Sequence, residues 1–446
     1  MRRHLTNAVY GVLDYASYPF GMLLAAPVVL HKLGASEYGL WMIATAVVSA
    51  GGIIASGFCD ANIQRVARLR SSGETRSVVQ TVRSMMGINL LLGFAIAVGV
   101  WIAAPIAARH IAVSGNTPVR ECLICIRIAG GLILVRAIES VGVSTHRAFE
   151  QYRGTVQIST MVRLLTLASA AILALVGRRT VSILVATGVF LVVGTYVQFR
   201  GVRSLLGVGA LWPSFRIGEL KGLLGFGFFV WLQTLGSVVF GQFDRILLGV
   251  SMGALVVAPY ALCIQFAQPV FGLTASGLHF LFPYLSGRAG AVSNAALKRT
   301  LLKAVGANVL LVVCGAGLLI VAGNGLIRLW AGAAVAASAK GIFIPIVIGS
   351  ALMGLSVTGT YAMQALGRFR TVALISVAGR AGMLLLMIYL LHHMGLRGLA
   401  TARVWYGLFA LIVYLPLIRE LGITRSESSS ARSMAIPCDL QEGSQS

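Results

Sequence analysis

Apolar segments of about 20 residues recur along the whole chain, each long enough to cross roughly 30 Å of hydrocarbon. No other feature constrains the fold as strongly. A chain of 446 residues that is 57% hydrophobic and 11% charged could not hide so much apolar side chain in a soluble core, since a soluble domain carries roughly 25% charged residues. A bilayer can, because lipid solvates the outward faces. Lipid offers no partner to a backbone N–H or C=O, so spanning segments of this length must be helices. The pattern predicts an all-α polytopic membrane protein with about twelve transmembrane helices, read at 8–30, 38–58, 85–107, 122–143, 156–176, 181–198, 223–250, 255–285, 301–321, 341–363, 371–391 and 399–417.

The formal net charge is +23. In a soluble protein that would suggest nucleic acid. Here the basic residues fall mostly in short loops, where they act as topology signals and contacts for anionic membrane lipids, so no nucleic-acid partner is expected. Arg65, Arg68, Arg70, Arg76 and Arg83, then Arg147 and Arg153, then Arg200, Arg203, Arg216 and Lys221, fall in loops on one side of the predicted spans. The opposite loops are poorer in Lys and Arg, so both termini are predicted cytoplasmic. Arg2 and Arg3 precede an apolar run too long for a signal peptide, which reads as a retained first helix. The scattered cysteines, including Cys122 and Cys125, read as small buried thiols. The sequence has no G-x-x-x-x-G-K-S/T and no H-E-x-x-H, and its outer loops are too short to form a catalytic domain. No enzyme activity, metal or cofactor is indicated.

A basic loop near residues 200–222 divides the chain into a first lobe at 1–205 and a second at 206–420, followed by a Ser-rich tail at 421–446 expected to be disordered. The halves repeat a local feature. Leu33, Gly34, Ala35, Ser36, Glu37, Tyr38 and Gly39 link the first two spans, and residues 249–253 with Tyr260 stand at the corresponding place in the second half. Such repeats are expected of transporters.

Ionisable side chains deep in hydrocarbon are costly, which makes them functional candidates. Arg380 lies near the middle of the eleventh span and is the first candidate for an anion-binding group, the alternative being an ion pair that packs helices. Arg136 is also deep, in the fourth span, three residues before Glu139, a spacing that permits an intrahelical pair. Arg127 is nine residues before Arg136 and points roughly the opposite way. Arg163 and Arg403 stand closer to span ends and read as snorkelling groups. Asp244 and Arg245 adjoin in the seventh span and need separate partners. Asp14, beside Tyr10, Tyr15 and Tyr18 in the first span, is a carboxylate suited to carrying a coupling proton, and Asp244 is a second candidate.

The run Leu33-Gly34-x-x-Glu37-Tyr38-Gly39-Leu40-Trp41, the basic segment after the second span, and Phe243-Asp244-Arg245-x-Leu247-Leu248-Gly249 with Tyr260 resemble the O-antigen and exopolysaccharide flippases of the multidrug/oligosaccharidyl-lipid/polysaccharide superfamily, over roughly residues 5–420. The resemblance implies two six-helix lobes around a central cavity. It also implies transfer of an undecaprenyl-pyrophosphate-linked oligosaccharide across a bacterial inner membrane, with a polysaccharide polymerase and export machinery as partners. Cationic residues would then face the pyrophosphate, a role that Arg380, Arg136, Arg127 and Arg245 fit chemically. A cation-coupled multidrug antiporter of the same fold is the main alternative. Drug cations want carboxylates, whereas the deep charges here are mostly arginine. A lipid II flippase would usually add two helices, and a membrane polymerase or ligase would need a large outer loop.

Overall fold

The computed structural model describes residues 2–56, 58–112, 117–214, 239–278 and 294–420; the side chains of residues 2–18, 60, 61, 152, 153, 239, 240, 276 and 294–297 lie outside that description. The regular structure of the described residues is helical: α1 Arg2–Ala55, α2 Cys59–Ser71, α3 Thr75–Ala112, α4 Val119–Ala148, α5 Tyr152–Leu175, α6 Thr180–Leu206, α7 Asp244–Met252, α8 Ala254–Gly277, α9 Asn294–Ala331, α10 Ala333–Ala339, α11 Phe343–Ala365, α12 Phe369–Met394 and α13 Leu396–Ala410. A single π turn, Val239–Phe243, leads into α7, and a short 3-10 turn, Leu411–Val413, extends α13. Nine of the described helices are long and apolar enough to cross a membrane.

Helices α1 to α6 pack on one another, as do α8, α9, α11, α12 and α13, and the two sets join mainly along α1 and α8. Burial separates inner from outer helices. The apolar windows of α1, α8 and α11 are largely buried, while those of α3, α5, α6, α9 and α12 are mostly exposed. Exposed Phe94, Trp101, Ile102, Leu310, Val321 and Leu385 are large apolar side chains that only lipid can solvate.

The first two predicted spans are two helical segments of α1 that meet at Gly34, whose non-helical backbone (φ 86°, ψ 170°) breaks the helix between them. Only glycine adopts that backbone without steric cost. Gly253, between α7 and α8, has nearly the same conformation (φ 85°, ψ 170°), so the repeat between the halves is a repeat of backbone geometry. The residues after Gly34 each have a structural task. Glu37 accepts hydrogen bonds from the Thr180 backbone N–H (3.1 Å) and hydroxyl (2.6 Å), satisfying the start of α6. Tyr38 is fully buried, and its hydroxyl accepts a bond from Gln265 of α8 (3.0 Å). Gly39 lies so close to α8 that a Cβ there would stand 1.8 Å from the Ala254 carbonyl oxygen.

The basic segment after the second span is not simply a loop. Residues 59–71 form helix α2, whose charged face defeats an apolar-run search. Arg70 donates to the Ala148 carbonyl (3.3 Å) and lies over the Phe149 ring, so part of this positive charge ties α2 to the end of α4. The seventh predicted span is described only from residue 239, the eighth only to residue 278, and the tail at 421–446 lies outside the described residues.

Candidate functional site

A cavity of about 420 Å³ opens between α1, α2, α4 and α5, with Gln242 of the π turn contributing from the second half. Helix α4 supplies its most polar wall. Arg136, Glu139, Ser140, Val143 and Arg147 follow one another at short steps around one face of the helix. From α1 come Ser49, Gly52, Ile53 and Ser56; from α5 come Ser159 and Arg163. At Gly52 the α1 backbone comes close to α4: a Cβ there would stand 3.1 Å from the Arg136 Cβ, a tight contact.

Arg136 pairs with Glu139 at 2.8 Å, the predicted intrahelical contact. The glutamate is nearly buried, while the arginine stays 40% exposed to the cavity. A guanidinium carries five N–H donors, so one bond to Glu139 orients the group without exhausting it. Among the described lining residues, three arginines stand against one glutamate, a net-cationic set. The charge pattern puts Arg147 in a loop and Arg163 among snorkelling groups; the structure brings both to this cavity instead, because their helix faces turn inward. The sequence signal that points to Arg147 is its eleven-residue separation from Arg136, three helical turns along one face.

The serines of the wall are held from behind. Asn89 donates to Ser140 (3.1 Å), Asn62 to Ser144 (2.8 Å) and Gln198 to Ser159 (3.2 Å), and all three amides are fully buried. Ser140 and Ser144 in turn donate to the carbonyls of Ala137 (2.7 Å) and Val141 (3.1 Å). The rotors of these two hydroxyls are therefore fixed, giving a pre-organised polar surface of the kind that orients hydroxylated ligands.

The remaining candidates are dispersed. Arg380 lines a separate cavity of about 190 Å³ in the second half, with Ser356, Thr360, Tyr361, Ser376 and Tyr406. Arg136 and Arg380 thus do not share a cavity. Arg127 is exposed on the outer face of α4, its guanidinium carbon 5.6 Å from the centroid of the Trp101 ring. Arg245 is buried on α7. The side chain of Asp14 lies outside the described residues.

Asp244 is completely buried in a three-residue network. Arg403 of α13 ion-pairs with its carboxylate, the Tyr260 hydroxyl of α8 donates to the same oxygen (2.7 Å), and Arg403 Nε donates to the Tyr260 oxygen (2.9 Å). The other carboxylate oxygen accepts the Arg245 backbone N–H (2.8 Å). Arg403 therefore does not snorkel; an acidic partner 159 positions away holds it inside. Sequence alone could not supply that pairing, which depends on how α7, α8 and α13 pack.

The family model described as "Polysaccharide biosynthesis protein" matches residues 32–340, which span the cavity and most of the Asp244 network. The chain belongs to that family. Its fold is shared with transporters of the multidrug/oligosaccharidyl-lipid/polysaccharide superfamily. The lipid II flippase MurJ in an inward closed conformation superposes with a TM-score of 0.74 at 13% identity, covering 92% of this chain and 87% of that one. An inward-facing multidrug-resistance MATE transporter of the MOP superfamily gives 0.67 at 14% identity, covering 95% and 99%. The MATE multidrug transporter DinF-BH gives 0.62 at 13% identity, covering 94% and 95%. Among curated proteins none matches the sequence. Family and fold neighbours alike are transport or biosynthesis proteins of membranes rather than soluble enzymes.

Proposed function

We propose that the chain is a flippase that carries an undecaprenyl-pyrophosphate-linked oligosaccharide across the bacterial inner membrane by alternating access, for exopolysaccharide or O-antigen assembly. The observation that carries this reading is the net-cationic, hydroxyl-walled cavity around Arg136. A diphosphate brings at least two negative charges into a low-dielectric slab, and guanidinium groups answer it with paired N–H donors. Arg136, steadied by Glu139, is the central contact, with Arg147 and Arg163 beside it. Ser140, Ser144, Ser159 and Gln242 suit sugar hydroxyls. Arg380 is a second anion contact, reached from the other cavity when the lobes rearrange. Asp14 is the coupling carboxylate of this scheme; Asp244 could serve only if its pair with Arg403 opened. Both termini face the cytoplasm, and a polysaccharide polymerase receives the product.

Flipping of a fluorescent polyprenyl-pyrophosphate oligosaccharide in proteoliposomes tests the reading. Arg136→Ala should slow transfer at least about tenfold, the equivalent of one charge-assisted hydrogen bond, and Arg136→Lys should retain part of it. Full transfer by Arg136→Ala at normal abundance refutes the assignment. A protein that moves lipophilic cations and leaves the polyprenyl substrate untouched is the antiporter.

A further inference from the structure

The outer surface of the first lobe carries a groove of about 440 Å³ between α3 and α4, separate from the transport cavity. Its lining comes from Phe94, Ala97, Val98, Trp101 and Ile102 on α3 and from Gly131 and Leu134 on α4. Two glycines of α4 give it shape. At Gly130 a Cβ would stand 2.8 Å from the Trp101 ring, so the indole lies directly on the α4 backbone; its N–H donates to the Arg127 carbonyl (2.9 Å). At Gly131 a Cβ would meet nothing within 4 Å, so the floor beside the indole is open.

Charge is arranged along the same groove. Arg120, Arg127, Gly131 and Leu134 are spaced by seven, four and three residues and form one stripe of α4. On α3, Arg109 follows Trp101 and Ile102 by eight and seven residues, on the same face. Arg109, Arg120 and Arg127 are all exposed. Along the helix axes Arg127 lies roughly 10 Å inside Arg120, and Leu134 roughly 10 Å deeper still. The stripe thus runs from a basic rim, through a cation over the Trp101 ring, to an apolar trough.

We propose that this groove binds an anionic diacyl phospholipid of the leaflet opposite the one that faces α2, with its phosphate on Arg127 over Trp101 and one acyl chain in the trough above Gly131. A zwitterionic lipid could fill the trough, but it would not leave net negative charge on a rim of three arginines. A second copy of this chain would present the same arginines, so like charges would meet at the rim.

The test uses the full chain in detergent, with phosphatidylglycerol and phosphatidylcholine of identical acyl chains, and counts retained lipid by native mass spectrometry. The wild-type protein should retain phosphatidylglycerol with a preference of about tenfold, the size of one charge-assisted contact. Arg127→Gln should remove most of that preference while leaving the common level of retention. Gly131→Leu, placed where a side chain meets open space, should lower retention of both lipids. Equal retention of the two lipids by the wild-type protein overturns the proposal, as does wild-type behaviour in both variants. A change in oligomeric state in either variant, with lipid retention unchanged, would instead make this face a contact between copies and also overturn it.

Discussion

The Asp244–Arg403–Tyr260 network makes a quantitative prediction about what a buried ion pair contributes inside a membrane lobe. The carboxylate and the tyrosine are completely buried and the guanidinium nearly so. Arg403→Met leaves a carboxylate with one tyrosine O–H and one backbone N–H but without its ion-pair partner. Removing one partner of a buried pair typically costs about 3–5 kcal/mol. Tyr260→Phe removes only a hydroxyl and should cost about 1.5–3 kcal/mol, the range for a hydrogen bond to a charged group. Asp244→Asn removes the carboxylate that Arg403 pairs with and should cost a comparable amount to Arg403→Met. The double variant Asp244→Asn/Arg403→Met removes both charges, so its loss should fall well short of the sum, with a coupling of about 2 kcal/mol or more. Equilibrium unfolding in mixed micelles measures all four. If Arg403→Met costs no more than Tyr260→Phe, or if the double variant is additive to within about 0.5 kcal/mol, the three side chains do not act as one buried unit.

Other consequences are as direct. Gly39→Ala places a methyl against the Ala254 carbonyl, where backbone must move, and should destabilise the protein by about 1–3 kcal/mol, read as a lower melting temperature of the solubilised protein. Arg380→Ala should lose polymer export at normal membrane abundance, with Arg380→Lys retaining part; a parallel fall in abundance would assign Arg380 to helix packing instead. Ser72→Cys, in the exposed turn after α2, should be labelled only from the cytoplasmic side; labelling from outside would reverse the orientation.

The spans were legible because lipid imposes one rule on every outward face, and an apolar stretch of sufficient length satisfies it without reference to partners. Gly34 is legible as a turn, and its non-helical backbone does separate the two flanking helical segments; that Gly253 repeats the same conformation in the second half could not be read from composition. Arg136 with Glu139 was readable because both partners lie on one helix; Arg403 with Asp244 was not, because that contact is made by packing. In α4 the residues at 127 and 136 do lie on opposite faces, one toward lipid and one toward the cavity, but which face was which depended on α1 and α5. Sequence could not identify the amides of Asn62, Asn89 and Gln198 as supports for the cavity serines, since isolated polar residues in apolar helices have many explanations.

The contact between Gly39 and Ala254 is placed where it can act as a fulcrum. With no room for even a methyl group, any atom added at that point must push the two halves apart. Gly52 and Ile53, at the cavity, lie thirteen and fourteen residues further along the same helix, roughly 20 Å away. A rocking of about 10° around the fulcrum would leave the glycine contact almost unchanged and carry the cavity wall through roughly 3–4 Å, more than the length of a hydrogen bond. The lever has its short arm where the chain tolerates no added atom and its long arm where the arginines are.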